Sequence, residues 1–256
     1  MFINNLKQKL LANNVGWGVM VTFPSTEIIE MIGALKFDWV LLDNEHGNIT
    51  LDTAENCIRA CEVNGVTPIV RPATSNPETL SGFLDRGVHG LQVPHVTTKE
   101  EAEKIVTATK YHPDGNRGLF FRSRANNYGF NPSNDQYFLE ANRETMIIAM
   151  IEDLEGINNI TEIASTEGID AIFLGSGDLS QNLGFPGQQD HPQVLELLDQ
   201  AIPQVLSQNK FVGVSCPEYL IPRFVTKGVQ IFHSSVQQLM LAGGKAYFKQ
   251  AKESGD

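Results

Sequence analysis

Three cysteines in 256 residues are too few for a disulfide framework. Cys57 and Cys61 fall four apart on an expected helix and share its face, which fits small core residues in a reducing compartment. A zinc site would need more thiols or histidines at ligand spacing, and no cysteine stands beside a strand-end base. Positive charge is also scarce. Nineteen Lys and Arg face thirty Asp and Glu, for a formal net charge of −11, which argues against a nucleic-acid backbone as partner. A small anionic substrate stays open, because a local Arg or a metal can reverse the sign inside a pocket. No stretch reaches the ~18 consecutive apolar residues of a membrane span. Met1–Lys9 lacks the apolar region of a secretory signal. A soluble cytoplasmic protein with no membrane partner is expected. No Gly-x-Gly-x-x-Gly follows the first strand, which weakens a dinucleotide fold. No linker or low-complexity stretch divides 1–256, so one domain is expected.

What the chain does have is 41% hydrophobic residues, many in short continuous runs. Such runs mark strands buried on both faces, as in a parallel sheet. Eight are expected: Gly16–Thr22, Asp38–Leu42, Thr67–Arg71, His89–Val93, Met146–Ile151, Ala171–Leu174, Phe211–Val214 and Val229–His233. Segments of helical spacing separate them. Ser25 caps one that runs to about Leu35. Leu51–Asn64 puts Ala54, Cys57, Ile58 and Cys61 on one face and stops at Gly65. Asn76–Arg86 is capped by Asn76, with Pro77 at its first position. Thr98–Thr109, Leu154–Ser165, Pro192–Gln208, Pro217–Lys227 and Val236–Lys252 complete the set. A short amphipathic helix, Asn4–Asn13, comes first. Eight strand–helix units in this length predict an α/β fold, a (β/α)8 TIM barrel with an extra N-terminal helix. An open doubly wound sheet is the alternative. After the fourth unit, Lys110–Glu144 lacks clear periodicity and carries Pro113, Gly115, Gly118, Gly129 and Pro132. A long loop acting as a lid or subunit contact is expected there.

In a barrel the working face lies at the C-terminal ends of the strands. The second strand ends in Asp43-Asn44-Glu45-His46, the third in Arg71, the fifth in Glu152-Asp153 and the sixth in Gly175-Ser176-Gly177-Asp178. Gln92 lies near the end of the fourth, and Ser215-Cys216 follow the seventh. Carboxylates with one histidine and one arginine suggest a divalent metal and an oxygen-rich substrate. Glu152 and Asp178 sit on adjacent strands, can converge, and suit Mg²⁺ or Mn²⁺ with positions left open. Helix capping by Asp153 and Asp178, which both precede helical segments, is the competing account, and it serves Asp153 better than Glu152. The Gly-Ser-Gly turn could let backbone N–H groups approach an anion, or be an ordinary tight turn. Arg71 needs a carboxylate partner or a substrate oxyanion. Asp43 could fix the tautomer of His46 and raise its basicity. The other five histidines lack such sequence neighbours and are given no role. Arg117, Arg122 and Arg124 form either a solvated or intersubunit cluster or a reader of a distal carboxylate.

These residues carry a family resemblance. Phe37-Asp38-Trp39 through Asp43-x-Glu45-His46-Gly47, Val70-Arg71-Pro72, Leu84-Asp85-x-Gly87, Tyr111-x-Pro113-x-Gly115-x-Arg117-Gly118, Ile151-Glu152 and Gly175-x-x-Asp178-Leu179-Ser180 resemble the HpcH/HpaI aldolases. Those are class II, metal-dependent pyruvate aldolases. Ser123-x-Ala125-Asn126 and Tyr128-Gly129 look most like the 2-dehydro-3-deoxyglucarate aldolase branch. The resemblance implies a lyase that splits or forms a 4-hydroxy-2-ketoacid through a metal-stabilised pyruvate enolate. Oxaloacetate decarboxylation and a non-catalytic ketoacid-binding barrel are the alternatives. It implies that Glu152 and Asp178 hold Mg²⁺, Mn²⁺ or Co²⁺, and that Arg71 stabilises the C2 oxyanion. His46, with Asp43, would be the acid/base, and Glu45 would support a water on the metal. Backbone around Gly177 and Asp178 would hold the pyruvate carboxylate, with Ser176 and Val214 among the substrate-binding residues. Asp85 would reach a neighbouring subunit's site in a homohexamer, a trimer of dimers. No lysine sits at an assigned strand end, which disfavours a Schiff-base aldolase. Three positions depart from the family pattern: Met150 where glutamine is common, Asn44 where glycine is common, and the bulky Leu119-Phe120-Phe121.

Overall fold

The computed structural model describes residues 3–130 and 134–253. Its frame is a closed barrel of eight parallel strands in sequence order. These are β1 (Gly16–Val21), β2 (Trp39–Asp43), β3 (Thr67–Arg71), β4 (Gly90–Val93), β5 (Met146–Ile151), β6 (Ala171–Leu174), β7 (Phe211–Val214) and β8 (Ile231–Ser235). Helix α1 (Asn5–Leu11) precedes the barrel. Around it lie α2 (Thr26–Ala34), α3 (Leu51–Val63), α4 (Pro77–Asp85), α5 (Lys99–Thr109), α6 (Asn134–Glu144), α7 (Leu154–Asn158), α8 (Ile160–Ala164), α9 (Ser176–Asn182), α10 (Pro192–Ser207), α11 (Ile221–Val225) and α12 (Val236–Glu253).

Strand alternation decides which residues reach the barrel interior. Val40 and Leu42 of β2 pack outward into the layer between strands and helices, while Trp39 and Leu41 point inward. The next step along that inward row brings Asp43. On β3, Ile69 is inward and Arg71 is next in the row. On β5, Met146, Ile148 and Met150 are inward, and the following step is Glu152. The period-2 rule thus delivers three ionisable side chains to one end of the barrel. Below them the interior is filled by Trp39, Phe173, Met146, Ile148 and their neighbours, all essentially fully buried. Each such side chain contributes roughly 1.5–3 kcal/mol of burial. Gly18 makes room for the Trp39 ring, since a Cβ there would fall 2.3 Å from Cε2.

Helix α1 closes the opposite end. Leu6 and Leu10 belong to the same interior cluster. The Leu6 N–H donates to Thr67 Oγ1, and Asn4 Nδ2 donates to the carbonyls of His89 and Glu144. Lys7 pairs with Asp170 and Lys9 with Asp38, both at 2.7 Å. Gln230 donates to the Leu10 carbonyl. The plug is therefore tied to the entrances of at least four strands.

Several boundaries differ from the sequence reading. The insertion after α5 is not an unstructured loop: its second part is the eleven-residue α6, with Tyr137 and Ala141 packed on Tyr111. Lys110 Nζ donates to the carbonyls of Asn142 and Thr145 and ties the two ends of the insertion together. Pro132 lies outside the described residues. Asn159 ends α7 and begins α8, dividing the single helix expected over 154–165. The segment after β7 is a 3-10 turn, Glu218–Leu220, followed by the short α11. Pro77 does open α4, but Asn76 makes no side-chain capping bond. Helix α9 starts at Ser176, within what reads as a glycine turn. Among the described residues no helix is long and apolar enough to cross a membrane.

Candidate active site

Arg71 ties the strand ends together. Its Nε donates to Asp43 Oδ1 at 2.9 Å and its Nη2 to Oδ2 at 2.8 Å, with both side chains buried. The same Nε lies 3.2 Å from Glu45 Oε2. Burial alone would push the Asp43 carboxyl up. The Arg71 hydrogen bond and charge, with the N–H groups of His46 and Glu45, outweigh burial and hold it below the usual carboxylate range.

Asp43 supports the turn that carries His46, but through the backbone. Its Oδ1 accepts the N–H of Glu45 at 3.1 Å and of His46 at 3.3 Å. The His46 ring is turned towards solvent, 65% exposed, with Nε2 3.7 Å from Glu45 Oε2. The expected Asp43–imidazole contact is therefore replaced by the Asp43–Arg71 pair, because a buried guanidinium takes the bidentate acceptor. Asn44 now has a physical account. Its Nδ2 donates to the Ile49 carbonyl at 2.7 Å and its Oδ1 accepts the Ala73 N–H at 3.0 Å. It stitches the loop after β2 to the loop after β3.

Glu152 is the buried acid opposite, only 4% exposed. Burial pushes its carboxyl up to about 7; the charges of Asp178 and Glu45 act in the same sense, and His95 opposes them. Gly175 leaves space for it: a Cβ there would fall 2.7 Å from Glu152 Cβ and 2.8 Å from Oε2. Asp178 stands in the first turn of α9 and is exposed. Ser176 is already occupied, donating from Oγ to the Ser215 carbonyl while its N–H donates to Ser215 Oγ. Gly177 lies beside it in the same turn. Val214 is fully buried and packs towards the helices, so only its backbone faces the barrel end.

Sequence neighbours gave no sign of His95. It follows β4 with φ +56, and both of its ring nitrogens meet site carboxylates: Nδ1 is 3.0 Å from Glu152 Oε1 and Nε2 is 2.9 Å from Glu45 Oε1. Its backbone N–H also donates to Glu152 Oε1 at 3.1 Å. The signal available was its position: His95 follows an apolar strand, as Asp43, Arg71 and Glu152 do. At the position of the expected glutamine, Met150 receives the amide of Gln92 on Sδ at 3.5 Å. Two strands therefore meet where that glutamine would stand.

Away from this cluster, Asp85 pairs with Arg117 at 2.6 Å, and Arg117 lies over the Tyr111 ring at 4.6 Å. Arg124 binds Glu62 and the Arg86 carbonyl. Both arginines therefore brace the insertion. Leu119, Phe120 and Phe121 are exposed on this chain. Cys57, Cys61 and Cys216 are free thiols, and burial pushes Cys216 up to about 12.

A closed parallel barrel whose strand ends gather buried carboxylates around one arginine has the architecture of a TIM-barrel enzyme. Residues 18–243 match the model of the HpcH/HpaI aldolase/citrate lyase family. The pyruvate aldolase of Rhizobium etli is 34% identical over 243 residues, covering 94% of each chain. The 5-keto-4-deoxy-D-glucarate aldolase of Shigella dysenteriae serotype 1 is 33% identical over 249 residues, covering 93% of this chain and 96% of that protein. The crystal structure of citrate synthase SbnG superposes with a TM-score of 0.87 at 33% identity, covering 98% of this chain and 99% of that one. The chain belongs to the HpcH/HpaI aldolase/citrate lyase family, and with it to the carbon–carbon lyases.

Proposed function

We propose that this enzyme cleaves a 4-hydroxy-2-ketoacid to pyruvate and an aldehyde, with a divalent cation held by Glu152 and Asp178. The observation that carries the reading is the buried Glu152 facing the Asp43–Arg71 pair across one barrel end. Its carboxyl is pushed towards neutrality by burial and by neighbouring carboxylates, which is the condition a bound cation relieves. The donor set fits the group: two carboxylates, with Gly175 leaving room beside Glu152 Oε2 that a Cβ would fill. When bound, Mg²⁺, Mn²⁺ or Co²⁺ supplies positive charge for the developing C2 oxyanion.

The chain's own residues divide the remaining work. Arg71, held by Asp43, presents a fixed guanidinium to the same oxyanion. His46, exposed at the mouth beside Glu45, takes the proton from the C4 hydroxyl. The C3–C4 bond then breaks, the aldehyde leaves, and the electron pair passes into the enolate. Return of a proton to C3 gives pyruvate. Backbone around Gly177 and Asp178, with Ser176 and Val214 behind it, seats the pyruvate carboxylate. The reading extends to a cytoplasmic homohexamer in which Asp85 reaches the neighbouring subunit's site.

Likeness to citrate synthase SbnG favours keeping a second reading, in which the enolate arises from oxaloacetate or attacks another electrophile. The deciding experiment follows solvent deuterium into the pyruvate methyl group by NMR. It uses the parent, Glu152→Ala, Asp178→Ala, Arg71→Ala and His46→Ala, each with Mn²⁺ and with chelator. Metal-dependent exchange lost in the carboxylate variants is expected; exchange that survives in both overturns the assignment. Parallel assays on oxaloacetate and on 4-hydroxy-2-ketoacids separate the two reactions.

A further inference from the structure

We infer that His95 is a positioning residue that clamps the metal-binding carboxylate Glu152 and joins it to the proton-transfer side of the site. The inference rests on the cation assignment above and adds a component to it. Glu152 Oε1 meets one residue twice: it accepts the His95 N–H at 3.1 Å and lies in ion-pair contact with ring Nδ1 at 3.0 Å. Oε2 lies towards Gly175, where an added Cβ would fall 2.8 Å from it. One oxygen is thus held and the other is presented. Carboxylates that bind metals depend on such outer partners for their orientation.

The left-handed backbone at His95 makes the double contact possible. At φ +56 the backbone N–H and the imidazole of one residue turn to the same oxygen. Histidine enters this region more readily than most side chains, and here the turn serves two contacts at once. The opposite ring nitrogen meets Glu45 Oε1 at 2.9 Å. Glu45 in turn contacts Arg71 and lies beside His46. A continuous chain therefore runs Asp43, Arg71, Glu45, His95, Glu152, in which acidic and basic side chains alternate. His95 spends both nitrogens on carboxylates and is not arranged as a third metal ligand. Consistently, among the described residues no three His, Cys, Asp or Glu side chains form a metal-binding group.

Three substitutions dissect the clamp. His95→Gly tolerates the positive φ and removes both ring contacts. His95→Asn also tolerates it and keeps a polar atom near the place of Nδ1. His95→Gln reaches towards the place of Nε2 and Glu45. Mn²⁺ binding to the full chain is read by electron paramagnetic resonance, independently of turnover, with thermal melting of the chelated protein as the folding control. The parent is expected to bind Mn²⁺, and His95→Gly to bind it about 10- to 100-fold more weakly. Asn is expected to restore most of the affinity and Gln little. A Gly variant with parental affinity overturns the inference, as does an Asn variant as weak as Gly. A parent that binds no Mn²⁺ overturns the cation assignment and the clamp together. A parent that binds with an unaffected Gly variant overturns the clamp alone.

Discussion

Arg71 meets Asp43 along two parallel hydrogen bonds, 2.9 and 2.8 Å long, at a place where neither side chain reaches water to any extent. The pair gives the site a fixed cation whose direction is set before any substrate arrives. Replacing Arg71 by Met leaves Asp43 buried and uncompensated, so a loss of about 3–5 kcal/mol is expected in urea unfolding. Arg71→Lys keeps the charge but not the fork. It should unfold closer to the parent while losing methyl proton exchange, a separation of stability from catalysis that the two assays read directly.

Gly175 lends itself to a test that touches no donor atom. A methyl group there falls 2.8 Å from Glu152 Oε2 and 2.7 Å from its Cβ. Gly175→Ala should displace that carboxylate, weaken Mn²⁺ binding measured by calorimetry, and lower kcat with the fold retained. Parental metal affinity in this variant would show that Glu152 does not need its present position.

Asn44 joins two loops by two hydrogen bonds. Asn44→Gly removes both, and a cost of about 1–3 kcal/mol in thermal or urea unfolding follows from the net worth of such bonds. The loop released carries Glu45 and His46, so activity should fall by more than Km changes.

His89 gives the fold an acid-sensitive limb. It is buried where β4 begins, and burial, aided by the Arg124 charge, pushes its imidazole down from 6.5 to about 3. A histidine with a depressed folded value contributes stability that is complete above pH 6.5. The contribution is lost as the pH falls from there towards 3, because the unfolded chain takes up the proton first. His89→Leu should therefore show a shallower decline in urea midpoint between these limits than the parent.

Much of the barrel was legible because its strands are apolar on both faces, so each appears as an unbroken run such as Met146–Ile151. The strand-end rule then located Asp43, Arg71 and Glu152 without any contact information. Side-chain pairings were not legible in the same way. Asp43 stands three residues from His46 in sequence, yet its carboxylate faces an arginine 28 residues away. His95 was passed over for the same reason: its partner Glu152 is 57 residues further along the chain. Helix α9 was expected only beyond Asp178 but begins at Ser176, because a start at Gly175-Ser176-Gly177 shows no helical periodicity, and the insertion hid α6 behind glycine and proline.

The plug formed by Leu6 and Leu10 has a consequence for traffic. Filled by Trp39, Phe173 and Met146 and covered at the far end by Leu6 and Leu10, the barrel leaves ligands only the strand-end face on which Arg71 lies. Whatever sits deepest against Arg71 enters first and departs last. Under the proposed reaction the aldehyde therefore vacates before pyruvate can, and in the synthetic direction pyruvate must already be seated when the aldehyde comes in. Product inhibition by pyruvate should compete with the ketoacid, whereas the aldehyde should not: the order of events follows from a barrel that is solid beneath its site.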